Sequence, residues 1–105
     1  QSGRYDGVVI AASEGTAIKA ISHGRVVYAD WLRGYGLLII VDHGSNYMSL
    51  YAFNEGLYKE VGDWVEAGEM IATVGVSGGQ QKAGLYFSIR KNGKPVNPIQ
   101  WCRAV

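Results

Sequence analysis

Apolar runs of four to eight residues, rich in Val, Ile and Tyr and closed off by Gly, Asn or Asp, recur along most of the chain. Runs this short with such borders predict strands, and no stretch carries the periodicity of an amphipathic helix. The predicted strands are residues 8–12, 25–31, 37–42, 48–53, 70–74 and 85–90, with a short return at 94–96. Between them, His23-Gly24, His43-Gly44-Ser45-Asn46 and Asn92-Gly93 supply residues that tolerate positive φ, and Asn-Gly is a strong hairpin signal. Antiparallel pairing of such short, regularly spaced strands implies an all-β sandwich or a partly open barrel. Residues 75–84, GVSGGQQKAG, hold four glycines and little to bury, which predicts a mobile loop at the rim of the sheet.

Period-2 alternation sorts the faces of two strands. In 85–90 it puts Leu85, Phe87 and Ile89 on one face, the predicted core, and Gly84, Tyr86, Ser88 and Arg90 on the other. In 48–53 it sets Met48, Leu50 and Ala52 against Ser49, Tyr51 and Phe53. If the two strands are neighbours, Tyr51, Phe53 and Tyr86 form an apolar outer surface with Arg90 at its edge. That is the profile of a protein or peptide site; the bland alternative is a second core face under a loop.

Composition narrows the function classes. At 105 residues the chain is one domain by the usual prior, and residues 1–4 read as a loop or appended remnant before a domain spanning 5–105. Gln1-Ser2-Gly3 does not look like a signal peptide, so the chain is expected to be a piece of a longer precursor. A net charge of +1 gives no global attraction for phosphate backbones, and nucleic acid is not an expected partner. No apolar run is long enough for a membrane span, so no membrane insertion is expected. The single Cys102 cannot form an internal disulfide or a thiolate zinc site by itself. His23 and His43 each precede a glycine at a predicted turn, where solvated turn residues are commoner than ligands. Trp101 is expected to plug the core near the C-terminus.

Longer motifs carry a resemblance. Gly7-Val8-Val9-Ile10-Ala11-Ala12, Gly24-Arg25-Val26-Val27, Gly34-Tyr35-Gly36, Asp42-His43-Gly44, Ser49-Leu50-Tyr51-Ala52, residues 62–69, residues 85–90 and Val96-Asn97-Pro98 occur in this order. Together they resemble a LytM domain, the lysostaphin-type zinc endopeptidase fold that cuts peptidoglycan cross-links. Active members carry His-x-Gly-x-Asp at the first strand; here Tyr5 stands at the histidine and Val9 at the aspartate. The closing His-x-His is replaced by Gly84-Leu85-Tyr86, and the histidine after Tyr-Ala by Phe53. Valine offers no donor and a phenol is a poor zinc ligand. The resemblance therefore implies an antiparallel LytM sandwich with an open groove, no catalytic residue, no metal and no cofactor.

Within that family the segments Ala29-Asp30-Trp31-Leu32, Arg33-Gly34-Tyr35-Gly36-Leu37 and Ser77-Gly78-Gly79-Gln80 are most similar to degenerate members that activate cell-wall amidases at the divisome. The resemblance implies a Gram-negative periplasmic protein of the division septum. Its groove would capture the regulatory helix that plugs the zinc site of a periplasmic N-acetylmuramoyl-L-alanine amidase. An FtsEX-type ABC complex would control it through regions outside this chain. Carried over by position, Tyr35, Leu38, Tyr51, Tyr86 and Arg90 form the helix-binding surface, with Val9 and Phe53 lining the same cleft. Asp6 stands where relatives often carry a base and Ser88 where many carry Glu, which bears on charge pairing with the partner. An amphipathic helix docking through an apolar stripe fits such a groove physically.

Other readings compete. Residues 61–72 also resemble the hammerhead repeat of biotinyl and lipoyl carriers, but no lysine here has the Met-Lys-Met or Asp-Lys-Ala setting of a modification site. A non-catalytic peptidoglycan-binding module would use Tyr51, Phe53 and Tyr86 against sugar or stem peptide.

Overall fold

The structure, a computed structural model, describes residues 7–96. The expectations for Tyr5, Asp6, Asn97, Pro98, Trp101 and Cys102 lie outside the described residues. Among the described residues nine strands follow in order: β1 (Val8–Ala11), β2 (Ala17–Lys19), β3 (Gly24–Leu32), β4 (Gly36–Gly44), β5 (Tyr47–Leu57), β6 (Trp64–Val65), β7 (Met70–Val74), β8 (Gly84–Lys91) and β9 (Lys94–Val96). Every pairing is antiparallel, and no helix occurs among the described residues. All seven predicted strands are present. The two that pattern missed, β2 and β6, are three and two residues long, too short to show an alternation.

Two tight hairpins set the register. Ser45 and Asn46 join β4 to β5 with φ of 52° and 66°, and Asn92 and Gly93 join β8 to β9 with φ of 53° and 78°. Positive φ at both central residues marks the turn whose twist matches the flanking strands. The main path runs β1-β8-β5-β4-β3-β6, with β9 also on β8 and with β2 joined through β7.

Strand β5 turns this path into a sandwich. Its first half pairs with β8, from Tyr47↔Lys91 to Ala52↔Tyr86, and its second half leaves to pair with β7, from Asn54↔Val74 to Leu57↔Ala72. The β2–β7 pair is thereby carried over one face. Ile18, Ala20, Ile71, Ala72 and Val74 from that side meet Val26, Ile39, Val41, Tyr51, Phe87 and Ile89 from the main sheet, all of them buried. The expected sandwich is therefore one continuous hydrogen-bonded sheet doubled over, not two separate sheets. Each large apolar side chain buried between the layers is worth about 1.5–3 kcal/mol.

Candidate functional site: an open aromatic groove

The other face of the sheet has its own smaller cluster. Leu38, Leu50, Ala52 and Phe53 are buried there, and Tyr28, Tyr35, Ile40 and Tyr86 pack half-buried against them. Register explains the membership: Val9 lies opposite Tyr86, and Tyr86 opposite Ala52, so these three share a face. Tyr86 is the hub. Its ring lies 5.7 Å from Tyr35 and 5.7 Å from Phe53, both tilted, in the range of favourable edge-to-face contacts. Val9, 64% exposed, forms the outer lip. On the next position but one along β8, Ser88 is fully buried, and the Arg90 guanidinium donates from Nε to Ser88 Oγ at 3.3 Å.

Phe53 reaches this face by an irregularity. Alternation from Ala52 would send Phe53 to the opposite side, but its backbone is left-handed, with φ of 68°. The pairing with β4 and β7 shifts register around the same point. Asn54, fully buried, brackets the bulge by donating from Nδ2 to the Tyr51 carbonyl at 2.8 Å and the Leu37 carbonyl at 3.0 Å.

The expectation for Tyr51 is corrected. Its side chain is 1% exposed and lies on the opposite, covered face, 5.5 Å from the Phe87 ring, because it pairs with Phe87 and not with Tyr86. Its hydroxyl sits in a buried relay: it accepts the Ile21 N–H at 3.2 Å and lies 2.7 Å from Ser49 Oγ, which lies 2.6 Å from His43 Nε2. His43 Nδ1 donates to the His23 carbonyl at 2.9 Å, which leaves Nε2 to accept from Ser49. His43 is thus half-buried and tied through Ser49 to the core tyrosine, where the sequence predicted a solvated turn residue. Leu38 is on the groove side, but at 1% exposure it is floor beneath Phe53 and Tyr86, without surface of its own. The structure brings Val9, Tyr35, Leu38, Phe53, Tyr86 and Arg90 to one face and leaves Tyr51 out. Leu50, Ala52, Tyr28 and Ile40, which the sequence pattern did not assign to the groove, complete it.

Of the positions that the LytM resemblance assigns to zinc binding, those within the described residues lie together. Val9 faces Tyr86, a Cβ built on Gly84 would lie 3.4 Å from Val9 Cγ1, and Phe53 touches Tyr86. Their chemistry does not fit the ion. Valine, glycine and phenylalanine have no donor, and burial, with Tyr35 beside it, holds the Tyr86 phenol above its ordinary pKa against the opposing pull of Arg90 and Ser88. A phenol kept protonated is a weak ligand. Among the described residues no group of three or more His, Cys, Asp or Glu side chains could hold a metal ion.

Residues 3–98 match the profile of peptidase family M23. The chain is 55% identical over 98 residues to the murein hydrolase activator EnvC of Escherichia coli, covering 93% of this chain and 23% of that protein. It is 47% identical over 100 residues to the murein hydrolase activator NlpD of the same species, covering 94% and 26%. The chain thus spans about a quarter of the length of these relatives. Among solved structures, the catalytic domain of lysostaphin from Staphylococcus simulans superposes with a TM-score of 0.88 at 28% identity, over 96% of this chain and 80% of that one.

Proposed function

The chain belongs to peptidase family M23, and from that premise we propose that it is a non-catalytic activator of peptidoglycan hydrolases. Its partner is a periplasmic N-acetylmuramoyl-L-alanine amidase, whose regulatory helix is taken into the groove so that the amidase's zinc site opens to substrate. The place of action is the Gram-negative periplasm at the division septum, under an FtsEX-type ABC complex acting on regions beyond this chain. The single observation that carries the reading is the content of the groove. At positions that the LytM resemblance assigns to metal binding the chain presents Val9, Phe53 and Tyr86, an apolar lining suited to a helix stripe and unsuited to a zinc ion. That relatives are named murein hydrolase activators, and not hydrolases, supports it.

The physical logic is that of helix-in-groove recognition. Phe53, Leu50 and Leu38 form the floor, Tyr35 and Tyr86 a wall, and Val9 the lip. Arg90, half-buried and held by Ser88, is placed to meet a carboxylate at the rim. Dye release from labelled sacculi by a purified periplasmic amidase tests the reading. Stimulation by the wild-type domain, its loss in Tyr86→Ala with Arg90→Ala, and no release by the domain alone are expected. Sacculus binding without stimulation of any amidase would replace the reading by a peptidoglycan-binding module, and release by the domain alone would overturn its non-catalytic part.

A further inference from the structure

Two loops frame the groove wall that carries Tyr35, and they are fastened to each other and to the Phe53 bulge. The Phe53 N–H donates to the Tyr35 carbonyl at 2.9 Å, the Ser77 N–H donates to the Phe53 carbonyl at 3.3 Å, and the Leu37 N–H donates to Ser77 Oγ at 3.0 Å. These three bonds join the β3–β4 turn, the middle of β5 and the β7–β8 loop. The two loops also touch backbone to backbone. A Cβ built on Gly78 would lie 2.8 Å from the Gly36 nitrogen and 3.0 Å from the Tyr35 carbonyl carbon, and one on Gly36 would run into Ser77 and Gly78. Both glycines have left-handed φ, 67° at Gly36 and 79° at Gly78, so geometry and space each demand glycine there. The segment 75–84, expected as a free mobile loop, is pinned at this point, and its ends are bridged by the Gly84 N–H to the Gly75 carbonyl.

We infer that Ser77, with the Gly36–Gly78 contact, is a positioning device that sets the groove's width before a partner arrives. Ser77 touches no partner in this scheme; it acts by holding Tyr35 and Phe53 at the spacing that keeps each ring against Tyr86. The inference rests on the reading of the groove as a helix receptor and adds what makes it selective. A rim fixed in advance admits a helix of matching girth and spares the partner the task of ordering the loops. Loosening the rim lowers the fraction of molecules able to bind without removing any contact surface.

Two measurements on the wild-type domain and four variants test it. In hydrogen exchange, Ser77→Ala is expected to speed exchange of the Leu37 amide by about tenfold or more, with core amides such as Val41 unchanged, as for a local opening. In surface-immobilised binding to a periplasmic amidase, Ser77→Ala and Gly78→Ala are expected to slow association about tenfold with dissociation nearly unchanged, the mark of a reduced competent fraction. Ser77→Thr keeps the hydroxyl acceptor and should restore binding. Gly79→Ala is the matched control, since Gly79 is also left-handed, at 83°, but a Cβ added there would meet nothing within 4 Å; it should bind as wild type. Unchanged Leu37 exchange in Ser77→Ala overturns the clip, and unchanged association in both Ser77→Ala and Gly78→Ala overturns its role in recognition. A wild-type domain that binds no amidase overturns the functional reading and the recognition role together, with the exchange result still deciding the clip.

Discussion

On one face of β8, Phe87 and Ile89 are 6% and 1% exposed because the β2–β7 layer lies over them; on the other, Tyr86 and Arg90 stay half-buried. The side chains alone do not account for the contrast, since both faces carry aromatics. The cause is β5, which pairs with β8 for half its length and then leaves to carry β7 over one side only. One face thus becomes the main core, and the other keeps a smaller cluster in which Leu38, Leu50, Ala52 and Phe53 are buried and Tyr28, Tyr35, Ile40 and Tyr86 stay half-buried. An apolar cluster with half-buried aromatics at its outer side is what the proposed helix-receptor role requires. The covered face should govern stability, and the open face should govern partner recognition.

Substitutions confined to one face at a time separate these two roles. Tyr51→Ala should be the most damaging, costing about 3–5 kcal/mol from the lost ring, with the Ile21 N–H losing its acceptor and Ser49 keeping only its bond to His43; chemical denaturation reads it. Tyr86→Ala should instead cost at least about 2 kcal/mol in amidase binding, as a central aromatic anchor does. It should shift the unfolding midpoint far less than Tyr51→Ala, and a reversal of those two rankings would end the division between the faces. Asn54→Ala removes both bonds that bracket the Phe53 bulge and should lower stability by about 1–3 kcal/mol. Because it frees Phe53 to turn from the groove, it should weaken amidase stimulation as well.

A pH dependence should be weaker than any of these. Tyr86 in the folded protein holds its proton above the ordinary tyrosine value because of burial. The folded state therefore binds that proton more tightly than the unfolded chain does. The associated stability is complete below about pH 10, the ordinary value, and is lost as pH rises through the raised folded value. Wild type should lose slightly more stability on alkaline titration than Tyr86→Phe, and equal losses would mean that the groove leaves Tyr86 as free as in solvent.

Much of this architecture is legible in the chain. Val-, Ile- and Tyr-rich runs mark seven strands, and His43-Gly44-Ser45-Asn46 and Asn92-Gly93 mark hairpins whose dihedrals follow. The alternation around Tyr86 sorts β8 correctly, with Phe87 and Ile89 inward and Tyr86 and Arg90 outward. Tyr51 escapes it because face assignment in 48–53 needs the register against β8, which is a long-range fact absent from local pattern. Phe53 reaches the groove through a bulge that breaks alternation, so pattern places it correctly while putting its neighbours Leu50 and Ala52 on the wrong side. His43 escapes for a related reason: its partner Ser49, and Tyr51 bonded to Ser49 in turn, are on the next strand, brought over by the Ser45-Asn46 turn.

Whether a partner's helix lies on the Tyr86 face is decided by site-specific photo-crosslinking. A photoreactive side chain at Val9, on the lip of the groove, and another at Tyr58, which follows β5 beside β7 and is 56% exposed, would each be irradiated with a periplasmic amidase. A groove that receives the helix should give a crosslink from position 9 that maps to a single helical segment of the amidase and is lost in Tyr86→Ala, with none from position 58. Crosslinking from position 58 in preference to position 9 would place the partner elsewhere and refute the helix-receptor reading.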